Sequence, residues 1–85
     1  MRYNVRWKPA TEQQLAQIWN DATDKAAVAL AADAFDAALQ RDALQVGESR
    51  TGRTRIAFAQ PLAFLFDVYP DTRQVEVFDV WRTRR

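Results

Sequence analysis

Residues 53–82, RTRIAFAQPLAFLFDVYPDTRQVEVFDVWR, decide the architecture. Three apolar runs are separated by two short turns, one at Gln60-Pro61 and one at Pro70-Asp71-Thr72-Arg73. In the first run Thr54, Ile56 and Phe58 alternate with Arg53, Arg55 and Ala57, the period-two signature of a strand. LAFLFDVY, residues 62–69, is apolar on both faces, which suits a central strand. In QVEVFDVW, residues 74–81, Val75, Val77 and Trp81 take one face and Phe78 and Val80 the other. Links this short join antiparallel neighbours, so the three runs form a meander.

Upstream, RDALQVGESRTG reads as a connection punctuated by Gly47 and Gly52, with Leu44 and Val46 tucked beneath it. Before it, residues from about Asp24 to Arg41 are nearly all good helix formers. Val28, Ala31, Ala32, Phe35, Ala38 and Leu39 make the buried stripe of this helix. Asp33, Asp36 and Gln40 lie off the stripe, read as a solvated face or, less simply, as a partner surface. A shorter helix starts at Thr11, whose spacing to Gln14 fits a capping box. Its apolar face is Leu15, Ile18 and Trp19, and NDATD breaks it. A link this short makes the two helices an antiparallel hairpin. RYNVRWK, residues 2–8, is a half-buried strand with Tyr3, Val5 and Trp7 inward.

The expected order is therefore β-α-α-β-β-β over one domain, residues 1–85: an α+β fold with a helical hairpin packed on a small antiparallel sheet. Periodicity does not fix the place of the first strand. Nearly half of the residues are apolar, enough for a packed core, so disorder is not expected. There is no cysteine and no histidine, which excludes disulfides, thiolate nucleophiles, imidazole bases and zinc sites built from those ligands. No metal or cofactor is expected. No apolar stretch has membrane-spanning length, and MRYNVRWKPA lacks an apolar h-region, so a cytoplasmic protein is expected.

Charge is unevenly spread. Residues 1–10 carry +3, residues 11–42 carry −4 and residues 43–85 carry +2. Positive charge thus collects in the strands, a pattern that can mark the footprint of an anionic partner. On one strand, Arg53 and Arg55 are two apart and share a face. With Arg82, and with Arg6 from the first strand, they are expected to form a basic surface on the sheet face away from the helices. Arg84 and Arg85 extend it. The alternative is a solvated face whose arginines pair with Glu76, Asp67 and Asp79. Arg50, in the connection, is peripheral. Trp7 and Trp19 read as core, whereas Trp81 borders the basic tail and can sit at a partner surface. Tyr69 reads as turn packing. Asp67 and Asp79 fit ion pairs with Arg55 or Arg82 better than a general acid and base. The sequence has no nucleophile elbow, P-loop or dinucleotide fingerprint.

A leading strand, a helical hairpin containing EQQLAQIW, the connecting VGESR and then GRTRIAFAQPLAFLFDVYPDTRQVEVFDVWR together resemble the RelE/ParE superfamily of toxins from bacterial type II toxin-antitoxin modules, the plasmid-stabilisation-like proteins. The resemblance implies a toxin whose basic sheet face is covered by a cognate antitoxin and is turned on mRNA at the ribosome or on DNA gyrase. It matches Arg53 and Arg55 to the basic positions of the second strand and Arg82 to the basic residue after the last. In RNA-cleaving members, attack by a ribose 2′-OH on the adjacent phosphate is assisted by such residues, which stabilise the developing charge. Arg6, Arg50, Trp81, Arg84 and Arg85 would then contact nucleic acid or partner. Three departures stand out: PLAFLF has Ala63 or its neighbours where those members usually carry an arginine, the second strand lacks the common lysines, and the terminal VWRTRR lacks the usual tyrosine or histidine. The ParE branch does not need that set. A degenerate, non-enzymatic binding module of the same fold is the other reading.

Overall fold

The computed structural model describes residues 2–83. The chain runs β1 (Asn4–Trp7), α1 (Pro9–Asp21), α2 (Lys25–Asp42), a 3-10 turn (Ala43–Gln45), β2 (Glu48–Thr51), β3 (Thr54–Ala59), β4 (Leu62–Tyr69) and β5 (Gln74–Arg82). The expected α+β architecture stands, with a richer sheet. Its five strands lie in the order β1-β5-β4-β3-β2. The β3–β4–β5 meander is antiparallel, and β1 adds to the outside of β5 in parallel, so the sheet is mixed.

Pro9 starts α1 two residues before the expected Thr11. Proline fits the first helical position because its ring fixes φ and its missing N–H would be unpaired there in any case. Thr11 is consequently inside the helix and buried, its hydroxyl unpaired, and no capping box forms. Gln14 is freed for another task. Its side-chain amide donates to the Val80 carbonyl and to the Asp79 carboxylate, both at 3.2 Å. The four residues of β1 pair only with Gln74–Val77, so the edge of β5 beyond Val77 lies bare. Helix α1 packs against that edge and Gln14 satisfies one of its carbonyls. At the far end of α1, the Lys25 ammonium donates to the carbonyls of Ala22 (2.7 Å) and Asn20 (3.2 Å) and lies 5.2 Å from the centroid of the Trp19 ring. A cation on the last carbonyls of a helix complements its dipole and fixes the turn into α2.

The core lies between α2 and the inner face of the sheet. The Phe35 ring stacks on Phe64 at 3.8 Å between centroids, and Trp7 and Phe66 meet this pair edge-on. Leu62, Phe64, Phe66 and Val68 of β4 point inward together with Val75, Val77 and Val80 of β5. The face read for β5 changes midway. Asp79 pairs with Leu65 and Val77 with Phe66, which leaves Phe78 as an extra, bulged residue. One extra residue reverses the alternation. Val80 therefore joins Val75 and Val77 in the core, and Trp81 goes to the outer face.

The polar stretch Glu48–Thr51, read as connection, is a fifth strand at the sheet edge, with every residue exposed. Gly52 begins the turn into β3 at a φ of +56°. Gly47 sits before β2 at a φ of +66°, and a Cβ there would collide with the Ile56 carbonyl oxygen and lie 2.9 Å from the Ala57 side chain. Only glycine lets the chain pass this close to β3.

A candidate basic interface

Register fixes the direction of each arginine. Arg55 pairs with Phe66 and so shares the inner, helix-facing side with Ala57 and Ala59. It lies beyond the helical layer, where its guanidinium donates to the carbonyls of Val46 (2.9 Å) and Gly47 (3.0 Å). Arg55 thus clamps the connection that leads from α2 into β2. Arg53 is not on a strand but in the β2–β3 turn. It is exposed, and its guanidinium lies over the Tyr69 ring, 4.6 Å from the centroid. A cation above an aromatic face is held by the ring quadrupole and leaves its edge free to donate. Tyr69, read as turn packing, is the platform for this arginine. Arg53 and Arg55 line one cleft of about 390 Å³ with Ser49, Gly52 and Pro70. Arg50, on exposed β2, adds charge nearby.

The other expected members of the site do not join them. Arg82 pairs with Leu62, four residues along β4 from the partner of Arg55, which is about 13 Å of strand. It donates to the Asp24 carboxylate at 2.7 Å. That hydrogen bond holds the Asp24 carboxyl below the usual aspartate range, against the opposing effect of desolvation. Asp24 precedes α2 but does not cap it with its side chain, and its second oxygen is buried and unpaired. Arg6 stands on the outer face 3.9 Å from Glu76. Trp81 is half-buried on that outer face, beside Ala63. Arg84 and Arg85 lie outside the described residues.

The basic surface expected on the face away from the helices is therefore not assembled as expected: Arg6 lies on it and Arg53 rests on Tyr69 at its end, but Arg55 faces the other way and Arg82 pairs with Asp24. In register order that face carries Phe58, Ala63 and Trp81, then Ile56, Leu65 and Asp79, then Thr54, Asp67, Glu76 and Arg6. It is apolar at the Pro61 end and becomes polar toward the other, where Asp67 and Glu76 lie beside Arg6. Of the anticipated ion pairs, only Glu76 with an arginine forms, and that arginine is Arg6. Asp67 accepts from the Thr54 hydroxyl at 2.5 Å, and Asp79 from Gln14. Arg50, Arg53 and Arg55 gather positive charge at one end of the sheet. Trp19, read as core, is 42% exposed. Among the described residues no cluster of acids has the spacing to hold a metal, and no helix is long and apolar enough to cross a membrane.

No protein-family model matches the sequence, and no curated protein sequence is similar to it. Solved structures are similar in shape. A chain of the toxin-antitoxin complex RelBE2 (Rv2865-2866) from Mycobacterium tuberculosis superposes with a TM-score of 0.77 at 18% identity, over 96% of this chain and 92% of that one. A chain of the chromosomal ParDE toxin-antitoxin system from P. aeruginosa superposes with a TM-score of 0.74 at 15% identity, over 98% of both. At such identities it is the fold that is shared, here along almost the full length of each chain.

Proposed function

We propose that this chain, which has the RelE/ParE-like fold, is the toxin of a type II toxin-antitoxin module and meets its target through the basic end formed by Arg50, Arg53 and Arg55. The observation that carries the reading is the match of the whole fold to chains of two toxin-antitoxin complexes, together with an arginine cleft at one end of the sheet. The cognate antitoxin is the expected partner, and an acidic segment of it would neutralise this end.

The arrangement favours binding over phosphodiester cleavage. Cleavage needs donors converging on one phosphate and a group that takes the 2′-OH proton. Here Arg55 spends two donors on backbone carbonyls, and Arg82 is paired with Asp24 at the other end of β4. Arginine stays protonated and cannot serve as the base, and Tyr69 is covered by Arg53. A gyrase-type target, which demands recognition rather than acid-base chemistry, is the better fit. A degenerate module that keeps only antitoxin binding is favoured by the same two engaged arginines.

Induction of the chain alone in a bacterial culture tests the proposal, beside an Arg50→Ala/Arg53→Ala variant that disturbs no core contact. Growth arrest by the parent chain alone, with intact mRNA and reduced DNA supercoiling, is expected. Growth arrest with fragmented mRNA would assign a ribonuclease instead. No arrest by either chain, with purified antitoxin still bound, would leave the degenerate module.

A further inference from the structure

Strand β2 closes one side of the sheet. It pairs with β3 on one margin, and among the described residues nothing pairs with the other. All four of its residues, Glu48–Thr51, are exposed. A strand directs its backbone groups alternately to its two sides, so part of this N–H and C=O row meets solvent. No side chain blocks the margin from the adjoining turn. Gly52 follows, and nothing lies within 4 Å of where a Cβ would stand there. A row of lysines or a proline would turn another strand away from such an edge. Here the edge carries one acid and one base, Glu48 and Arg50, two apart and on one face. Neither has a hydrogen-bond or ion-pair partner among the described residues.

We infer that this edge is a self-association surface, on which β2 of one molecule pairs antiparallel with β2 of a second copy. Symmetry and charge together select the register. Opposed residues of an antiparallel pair alternate between hydrogen-bonded and non-hydrogen-bonded kinds. A two-fold axis normal to the sheet cannot exchange the two kinds, so it runs through a pair and one residue faces its own copy. Glu48 opposite Glu48, or Arg50 opposite Arg50, sets like charges side by side, which is destabilising. Thr51 opposite Thr51 leaves both charges without an opposite. Ser49 opposite Ser49 places Glu48 of each molecule against Arg50 of the other, two unlike pairs around a central pair of hydroxyls. The register shift between Ser49 and Thr51 confines the pairing to this short stretch. The remaining charge tolerates it. Arg55 is the partner of Ser49 on β3, so the two Arg55 residues stand three strand spacings apart, about 14 Å, beyond the screening length of about 8 Å. The antiparallel arrangement also turns the two basic ends in opposite directions. An extended segment of uniform charge would satisfy one of Glu48 and Arg50 and oppose the other, so the second copy is the better occupant. Four residues a side fall short of the roughly 800 Å² per partner of a stable interface, and a dissociation constant on the order of 0.1 mM is expected. The inference does not depend on the toxin proposal. Where both hold, the dimer engages Arg50 and leaves Arg53 and Arg55 to the target.

The test is sedimentation equilibrium of the full chain up to about 1 mM, on the parent and on two charge reversals at exposed positions, Glu48→Arg and Arg50→Glu. The parent is expected to dimerise with rising concentration. Each reversal alone sets like charges opposite each other and should weaken the dimer at least about fivefold, with the thermal midpoint in place. An equimolar mixture of the two reversed chains restores both unlike pairs and should dimerise like the parent, as should the chain carrying both reversals. Amide exchange read at low and high protein concentration should show added protection confined to β2. A parent chain that stays monomeric at the highest concentration would overturn the inference. So would a dimer indifferent to either reversal, or reversed chains that do not recover on mixing. A dimer lost instead on Phe58→Ser would place the contact on the outer sheet face and equally sink the β2 assignment.

Discussion

Gly47 and Arg55 are two halves of one local device. The glycine brings the chain against β3, and Arg55, on that same strand, grips the Val46 and Gly47 carbonyls that result. Gly47→Ala is expected to cost about 2 kcal/mol or more, through both the left-handed φ and the collision with Ile56, read as a lower urea midpoint. Arg55→Ala should cost roughly 1.5–3 kcal/mol, because it removes two charge-assisted hydrogen bonds. Arg55→Lys should restore only part of that, since an ammonium cannot reproduce the planar fork. Equal stability of the alanine and lysine variants would show that the guanidinium geometry does not matter. The Arg82–Asp24 pair contributes to the acid response. The folded carboxyl titrates below its unfolded value. Its contribution is therefore complete above the ordinary aspartate value of about 3.9 and is lost as pH falls through the folded one. In an acid titration of the urea midpoint, Asp24→Asn should be less stable at neutral pH and should lose less on acidification than the parent chain.

At the scale of elements, what the sequence made legible follows from which residues have two different environments. The meander was readable because β3 and β4 have one face or both in an apolar interior, so side-chain type tracks direction. β2 was not readable, because Glu48, Ser49, Arg50 and Thr51 are all exposed and no alternation is imposed on them. The bulge at Phe78 was hidden for a different reason: an extra residue in a backbone ladder leaves no mark on hydropathy when both neighbours are apolar. It alone misassigned Val80 and Trp81. The correct assignment makes a sharp prediction. Val80→Ala should cost about 2 kcal/mol, as expected for a buried aliphatic side chain, while Trp81→Ser, on the outer face, should cost less than half as much. Thermal melts of the two variants decide it, and the reverse order would mean that β5 runs without the bulge. The start of α1 is set by Pro9, whose fixed φ is a stronger constraint than the capping pattern at Thr11.

For the whole molecule, the arginines were legible as a basic excess but not as a site. Their directions depend on where the helical layer stops and on the parity of β5, neither of which composition encodes. The resulting body is long and narrow, about 39 by 20 by 20 Å. Positive charge gathers at the β2–β3 end and negative charge on the helices, within residues 11–42. Two surfaces of opposite sign on so small a body allow two partners at once, and the binding of each should weaken as ionic strength rises. If the target at the basic end is a nucleic acid, three arginine contacts imply a slope of about −2 to −3 in log affinity against log salt. A flat salt response at that end would exclude the polyanion.

The bare stretch of β5 beyond Val77 has a further consequence, for shelf life rather than for recognition. An unpaired strand margin is a template on which another molecule can stack, and successive stacking grows fibres. Here α1 packs over that template, and its Gln14 occupies the Val80 carbonyl. Storage of Gln14→Leu at high concentration should therefore bring a slow rise in light scattering and in thioflavin fluorescence that the parent chain does not show. Fourteen residues into the chain, one amide would be setting how long a concentrated solution stays clear.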